Sequence, residues 1–479
     1  MTGEKPFIHL FSTPYGYYMF DVNKNIIIKI KKPVYEALIN EQQKNDCNSE
    51  IDEEVRKEIE ILRTNGFLST KRPKEIVHPE NDFVEYRLKN DIRKMTLQVT
   101  QQCNLRCGYC PYSGDGELQR THTNKRMSFE TARKAIDFLI HHSKEAEIVN
   151  IGFYGGEPLL EFELIKKCVE YIKKKAEGKK VSYVITTNAT LLNEEIVEYF
   201  EKNDIRISIS LDGPREIHNK NRRFASDGRG SFDTVMEKIE MIKNKYPGYF
   251  PKVGIIMVID PENNVACTNE FCTNCETVSE MNVLPMIVDD NYTEGKVFIP
   301  DDFIKKRNYE LFKVYLYELG RVSRKNVSQI FLSQYYQEQN DFANIRPMEG
   351  LPEKWHHGGP CVPGESRLFI NADGCLYPCE KVNEKSEVMK IGHIDSGFDL
   401  NKVRNLINIG KLTEDNCKNC WVITHCKICA SQIDSENGLS VEMKKQSCKE
   451  VRSTVENLFR NYIALWEMKY MINKINVSP

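Results

Sequence analysis

Cys103-Asn104-Leu105-Arg106-Cys107-Gly108-Tyr109-Cys110 sets three cysteines at C-x3-C-x2-C in one short loop. No Cys or His follows until His122. A structural zinc ion wants four close ligands, whereas an iron–sulfur cube held at three corners keeps one iron open for a small ligand. The spacing therefore favours the cube.

Outward from this loop, strand and helix alternate. Lys94–Thr100 reads as a short strand running straight into it. Ser128 can cap a helix over Phe129–His142. Strand Ile148–Tyr154, helix Glu161–Lys175, strand Val181–Thr187, a helix from Asn193 to Lys202 and strand Ile205–Leu211 follow. Ser231 can cap a further helix to Lys245, and Lys252–Ile259 is another apolar strand. This alternation predicts an α/β domain, a parallel sheet covered by helices. Ligands gather at the carboxyl edge of such sheets, and each polar motif falls just after a strand. Tyr154-Gly155-Gly156-Glu157-Pro158 offers close backbone approach and a carboxylate for an ammonium group. Thr186-Thr187-Asn188 offers hydroxyls and an amide. Ser208, Ser210, Asp212 and Arg222 follow the next strand, and Arg222 can pair with a carboxylate.

Composition narrows the class. The 479 residues suit two to four domains. A net charge of -2 gives no basic field for nucleic acid, and no apolar run is long enough to span a bilayer. Met1–Phe7 has no basic segment leading into an apolar core, so a cytoplasmic, reducing location is expected. There, 16 cysteines point to metal ligation rather than disulfides.

The C-x3-C-x2-C loop, Gly-Gly-Glu-Pro, Thr-Thr-Asn-Ala-Thr, and Ser-Leu-Asp-Gly-Pro with a following His-x3-Arg together resemble the radical S-adenosylmethionine enzymes over about residues 93–290. The resemblance implies a partial (β/α)6 TIM-type barrel over 91–295. It implies a [4Fe–4S] cluster on Cys103, Cys107 and Cys110 whose open iron chelates S-adenosylmethionine. It also implies Gly155, Gly156 and Glu157 at the methionine amino group, and Asn188 and Ser210 near the ribose or methionine. Arg222 would lie near the carboxylate, with Tyr109 and Asp212 in the same site. One electron from the cluster would yield a 5′-deoxyadenosyl radical that takes a hydrogen atom from substrate.

A helical region, 296–355, is expected next, with Phe303, Tyr309, Phe312, Tyr315 and Leu316 forming a buried stripe. Beyond the Gly358-Gly359-Pro360 break come Cys361, Cys375, Cys379, Cys417, Cys420, Cys426, Cys429 and Cys448. Zinc ribbons and iron–sulfur cubes both fit so many thiols. The pattern resembles a SPASM domain (356–455), which implies two auxiliary [4Fe–4S] clusters and three in all. By that resemblance Cys361, Cys379 and Cys429 hold the nearer cluster, and Cys417, Cys420, Cys426 and Cys448 the far one. Cys375 is an added thiol, either a fourth ligand of the nearer cluster or a spectator. Cys267, Cys272 and Cys275, with Cys47 and Cys168, read as packing cysteines. His356-His357 reads as a loop at the domain entry with a candidate proton-transfer role. A terminal helix is expected over Val451–Ile472, within a last segment 456–479.

Residues 1–90 read as three strands, Phe7–Phe11, Tyr17–Asp21 and Asn25–Ile30, and two helices, Pro33–Gln42 and Asp52–Asn65. Phe67–Ser69 is a candidate returning strand and Lys71–Asn90 a linker. The unit resembles a winged-helix-like peptide-recognition domain, which would take a leader peptide as an added strand on the Asn25–Ile30 edge.

Taken together, the resemblance implies a peptide maturase of the sactipeptide/ranthipeptide type, installing thioether crosslinks in a Cys-rich precursor peptide. Cys361-Val-Pro-Gly and Gly-Cys-Leu-Tyr-Pro-Cys-Glu fit that subgroup better than the sulfatase-maturing one. The implied partners are that peptide with its leader and an electron donor such as flavodoxin or ferredoxin, with no nucleic acid and no membrane. C–C crosslinking, epimerisation and formylglycine formation are the neighbouring reactions. A non-catalytic iron–sulfur carrier or winged-helix sensor is the reading from another class.

Overall fold

The computed structural model describes residues 5–43, 52–112, 114, 120–176, 178–288, 290, 292, 297–343, 345–358 and 361–476. Cys47 and the Gly359-Pro360 part of the break lie outside them. No helix among the described residues is long and apolar enough to cross a membrane.

Strands β1 (Ile8–Thr13), β2 (Gly16–Asp21) and β3 (Ile26–Ile30) form an antiparallel meander in that order. Helices α1 (Lys32–Gln43) and α2 (Glu53–Thr64) follow, the second capped by the Asp52 side chain. The period-2 pattern splits the sheet between two cores. Ile8, Met19 and Ile30 pack with Val34, Leu38 and Ile59 of the helices. Phe11, Tyr18 and Phe20 pack into the main core instead. This small sheet is therefore anchored to the rest of the chain.

Two expectations here fail. Phe67–Ser69 forms no strand, because Leu68 has φ +61° and its N–H goes to the buried Asp21 carboxylate at 2.8 Å. Nor is 71–90 a bare linker. Glu75–Ile76 pairs in parallel with Lys354–Trp355, and Val84–Asn90 is a helix that buries Val84 and Leu88. Those two apolar residues sit one turn apart, a short signal masked by charged neighbours.

Six parallel strands build the centre: Lys94–Thr100, Ile148–Gly155, Lys180–Thr187, Ile205–Ser210, Val253–Ile259 and Asn282–Ile287, each paired with the next. The sixth carries Pro285, tolerated at a sheet edge, and its signal is absent from the sequence reading. The first strand pairs on its other side with Leu368–Ile370, so the six-strand set stays open. Cys375–Tyr377, Gly392–His393 and Gly397–Phe398 extend the same sheet antiparallel, giving ten strands in all. The cysteine-rich C-terminal region is thereby continuous with the barrel sheet.

Two further details differ from expectation. The Ser231 side chain makes no cap; its hydroxyl meets His218 Nε2 at 2.9 Å and donates to the Arg222 carbonyl. Of the aromatic stripe, Phe303 is buried, but Tyr309 and Phe312 are 63% and 53% exposed. Helical spacing alone cannot say which face meets a neighbour.

The last helix, Val441–Asn476, starts ten residues before the expected Val451. Near its start it carries Lys444 and Cys448. Farther along, Arg460 donates to the Ser12 carbonyl at 2.7 Å, and Glu467 accepts from Thr13 and Tyr18. One helix thus links the cysteine-rich region to the N-terminal sheet.

Candidate functional site

The carboxyl edge of the barrel strands opens onto a cavity of about 530 Å³. Its walls follow from strand alternation. Leu97, Ile151, Ile185, Ile207 and Ile255 are fully buried, while Thr96, Tyr154, Thr186, Ser208, Ser210 and Val258 line the cavity. Cys103, Cys107 and Cys110 lie at this cavity and share an electrostatic field. Burial pushes the Cys103 thiol up to about 12 and the Cys107 thiol up to about 11. Metal loading therefore has to displace protons.

The loop is held from two sides. Leu105–Cys107 pairs antiparallel with Arg222–Phe224, placing Cys107 opposite Arg222. On the other side Gly156 N–H donates to the Thr100 carbonyl at 3.0 Å and Glu157 N–H to the Gln102 carbonyl at 2.9 Å. A Cβ on Gly155 would stand 2.1 Å from the Thr100 oxygen, and Gly155 has φ +149°. A Cβ on Gly156 would stand 2.1 Å from the Gln102 oxygen. The two glycines therefore let the strand end press against the lead-in of the cysteine loop.

Glu157 is 1% exposed and ties three segments together. It accepts from Leu159 N–H at 3.0 Å, Thr187 Oγ1 at 2.7 Å and Asn188 N–H at 2.8 Å. A carboxylate has about four acceptor positions, so about one remains for a ligand. Burial raises its carboxyl to about 7 despite these donors. The Asn188 amide reaches Asn104 Oδ1 at 2.8 Å and Cys103 Sγ at 3.9 Å.

Arg222 is already partnered. It forms a fork with Asp212 at 2.8 and 3.1 Å, and the Tyr109 hydroxyl donates to the same carboxylate. Asp212 also accepts from Val258 N–H at 3.1 Å and lies behind the lining rather than on it. Its carboxylate thus acts by orienting Arg222 and Tyr109. His218, lowered to about 4 by burial, accepts from the Asp212 N–H as a neutral ring.

The opposite wall holds residues the sequence reading missed. Arg120 is 6% exposed and lies over the Tyr112 ring, 3.3 Å from its centroid. Its Nε donates to Glu384 at 2.6 Å, while Nη1 and Nη2 have no geometrically good hydrogen bond among the described residues. Tyr292, Arg367, Glu380 and Asn383 line the same end. No local motif marks Arg120, because Glu384 stands 264 residues away.

The C-terminal thiols fall into two groups. Cys361, Cys379 and Cys429 act on one another electrostatically, and Glu380, next to Cys379, lines the main cavity. Cys375 stands apart, with Lys390, Asp373 and Glu387 as its charged neighbours. Cys417, Cys420, Cys426 and Cys448 bound a second, small cavity together with His357, Lys444 and Arg452. Among the described residues no group of three or more Cys, His, Asp or Glu gathers as around a single metal ion. Cys417, Cys420, Cys426 and Cys448 instead line a cavity, and a thiolate-lined cavity with buried cationic walls fits an anionic iron–sulfur cluster. Cys168 and Cys272 are core residues, and Cys267 is exposed. His356 and His357 follow the Lys354–Trp355 strand in a loop, as expected, but are buried there, and burial lowers them to about 4 and about 2. Neutral rings held so low do not suit the proton-transfer role.

Residues 97–270 match the family model described as the radical SAM superfamily. The chain carries a radical SAM domain. An uncharacterised protein of Methanocaldococcus jannaschii is 39% identical over 144 residues, 30% of this chain and 46% of its own length. The chain thus spans about half the length of that relative. The radical SAM cyclopropyl synthase TigE of Paramaledivibacter caminithermalis is 27% identical over 429 residues, covering 86% of this chain and 83% of TigE. A cysteine-type anaerobic sulfatase-maturating enzyme of Clostridium novyi is 25% identical, covering 67% of this chain and 83% of its own. The solved structure described as native anSMEcpe with bound AdoMet superposes at a TM-score of 0.59, over 79% of this chain and 99% of that one, at 19% identity. The two share a fold, and the radical SAM domain sits in its mixed sheet.

Proposed function

We propose that this chain is a radical SAM enzyme that modifies a ribosomally made, Cys-rich peptide by closing thioether bonds. S-adenosylmethionine and the cluster on Cys103, Cys107 and Cys110, when bound, supply one-electron chemistry and hydrogen-atom abstraction. Gly155, Gly156, Glu157, Asn188 and Ser210 line the cofactor end of the cavity, with Arg222 and Tyr109 held by Asp212. Arg120, Glu380 and Tyr292 line the substrate end. In the balanced reaction a C–H and an S–H of the peptide are replaced by one C–S bond. The peptide is oxidised by two electrons and loses two hydrogens.

The observation that carries the thioether reading is the nearer thiol set. Cys361, Cys379 and Cys429 group together while Cys375 stands apart. A cube held by three thiolates keeps a corner for a substrate thiol, at the end of the cavity that Glu380 lines. Pre-binding would ionise and position that thiol. The winged-helix-like and SPASM readings of the two ends belong to this proposal. The leader would add to β3, which pairs only with β2 among the described strands. A protein such as flavodoxin or ferredoxin would donate electrons.

A second reading rests on TigE, a relative matched over 86% of this chain and 83% of its own. A cyclopropyl-forming reaction would make a C–C bond and need no substrate thiol.

The test is co-expression with a Cys-rich peptide encoded beside this gene, followed by mass spectrometry before and after alkylation. A loss of about 2 Da per event with the thiols blocked supports thioethers. The same loss with free thiols supports C–C closure. An aldehyde captured by a hydrazide would instead point to formylglycine.

A further inference from the structure

The small cavity bounded by Cys417, Cys420, Cys426 and Cys448 has an unusual wall. Lys444 is 0% exposed. Its ammonium donates to Thr413 Oγ1 at 2.6 Å and to Cys417 Sγ at 3.4 Å. No carboxylate pairs with it among the described residues, nor with Arg452, which lines the same cavity. A buried ammonium without a counter-anion is costly, so this fold is built around negative charge at that point. His357 is 2% exposed and comes within hydrogen-bonding reach of the backbone of Cys426, one of the four thiol residues. His357 lines the same small cavity as the four thiols and Lys444.

The nearer set is surrounded differently. Arg367 beside it pairs with Glu380 at 3.3 Å, so its fixed charges cancel. Positive charge and N–H donors at the sulfurs raise the reduction potential of an iron–sulfur cube.

We infer that Lys444 and His357 make the four-thiol set the electron sink of this protein: they hold a cube bound there at a higher potential than one bound by Cys361, Cys379 and Cys429. This rests on the three-cluster reading of the proposed function. The direction of flow follows. The one electron left over as the C–S bond closes would pass to a cube on the nearer set and then to one on the far set, which would be reduced by one electron. A soluble one-electron carrier protein then reoxidises it. Lys444 and His357 are positioning residues in this account, since neither touches substrate.

The test is an EPR-monitored redox titration of the anaerobically reconstituted full-length protein, with iron analysis. The signal lost in Cys448→Ser identifies the far site. Lys444→Met should shift that signal to more negative potential, by about tenfold in the reduced-to-oxidised ratio at fixed potential, or ~59 mV for one electron. Lys444→Arg should restore most of it, and His357→Phe should shift it less in the same direction. If Lys444→Met instead sheds about four irons that Lys444→Arg retains, the ammonium is shown to balance the cluster's charge, which supports the assignment. Full iron with an unmoved midpoint in both Lys444→Met and His357→Phe overturns it. About four irons in the unmodified protein would overturn the three-cluster reading instead.

Discussion

The two cysteine-rich regions solve different problems. Cys103, Cys107 and Cys110 come from one octapeptide, pinned by Gly156, Glu157 and the Arg222 strand at the mouth of a cavity of about 530 Å³. Cys417, Cys420, Cys426 and Cys448 come from a helix, a loop and the start of a 36-residue helix, and surround a small cavity with a buried ammonium. The first arrangement keeps a side open to a ligand. The second is small and carries Lys444 and Arg452 in its wall, which under the proposal above would suit electron transfer.

The strongest way to break this contrast is to delete one region at a time. Replacing Cys103, Cys107 and Cys110 by Ala should abolish 5′-deoxyadenosine formation, by on the order of 1,000-fold or more, while leaving the iron of the C-terminal sets in place. Iron analysis and chromatography of the adenosyl product check both halves. Cys448→Ala should do the reverse. Cofactor cleavage should stay within about threefold, and crosslinked peptide should fall on the order of 100-fold. Equal loss of both activities in the two variants would erase the distinction.

A smaller effect separates the two ends of the main cavity. Arg120→Met removes a buried fork whose Nη atoms have no hydrogen bond among the described residues, so peptide turnover should drop about 10- to 100-fold. Cofactor cleavage without peptide should be unchanged, measured as 5′-deoxyadenosine in peptide-free assays. The smallest expected effect is a pH dependence at Glu157, whose carboxyl is raised to about 7 by burial. A ligand ammonium pairs only with the ionised form. Affinity for S-adenosylmethionine should therefore rise up to about tenfold per pH unit below pH 7 and level off above it. Calorimetry across pH tests this, and Glu157→Gln should bind more weakly with a flat profile. The ligand-free protein behaves oppositely. Stability from a protonated, buried Glu157 is fully present below about pH 4.5 and is lost as pH rises through about 7.

Much of the frame was legible in the chain. Five barrel strands were readable within about a residue at each end, because their apolar runs are short, continuous and bounded by helices with polar caps such as Ser128 and Asn193. The sixth was not, since Pro285 breaks its pattern. Leu68 hid a left-handed turn behind an apolar triplet, and the Val84–Asn90 helix hid behind charge. In the site, the motif residues lie where short-range chemistry suggests. Glu157 and Arg222, however, spend much of their hydrogen bonding on the protein itself. Arg120 carried no signal, since its significance lies in atoms left unpaired after folding.

The sequence by itself determined the three-thiol loop, the alternation that builds the parallel sheet, and the polar residues that follow each strand. These are local, because spacing and periodicity act within a few turns of chain. Only the tertiary structure decided which thiols share a cavity, that Cys375 stands apart, and that Lys444 faces Cys417 with no carboxylate paired to it among the described residues. Those facts depend on burial and on contacts between distant segments. The energy of a charge or a thiol is set by what the fold brings around it.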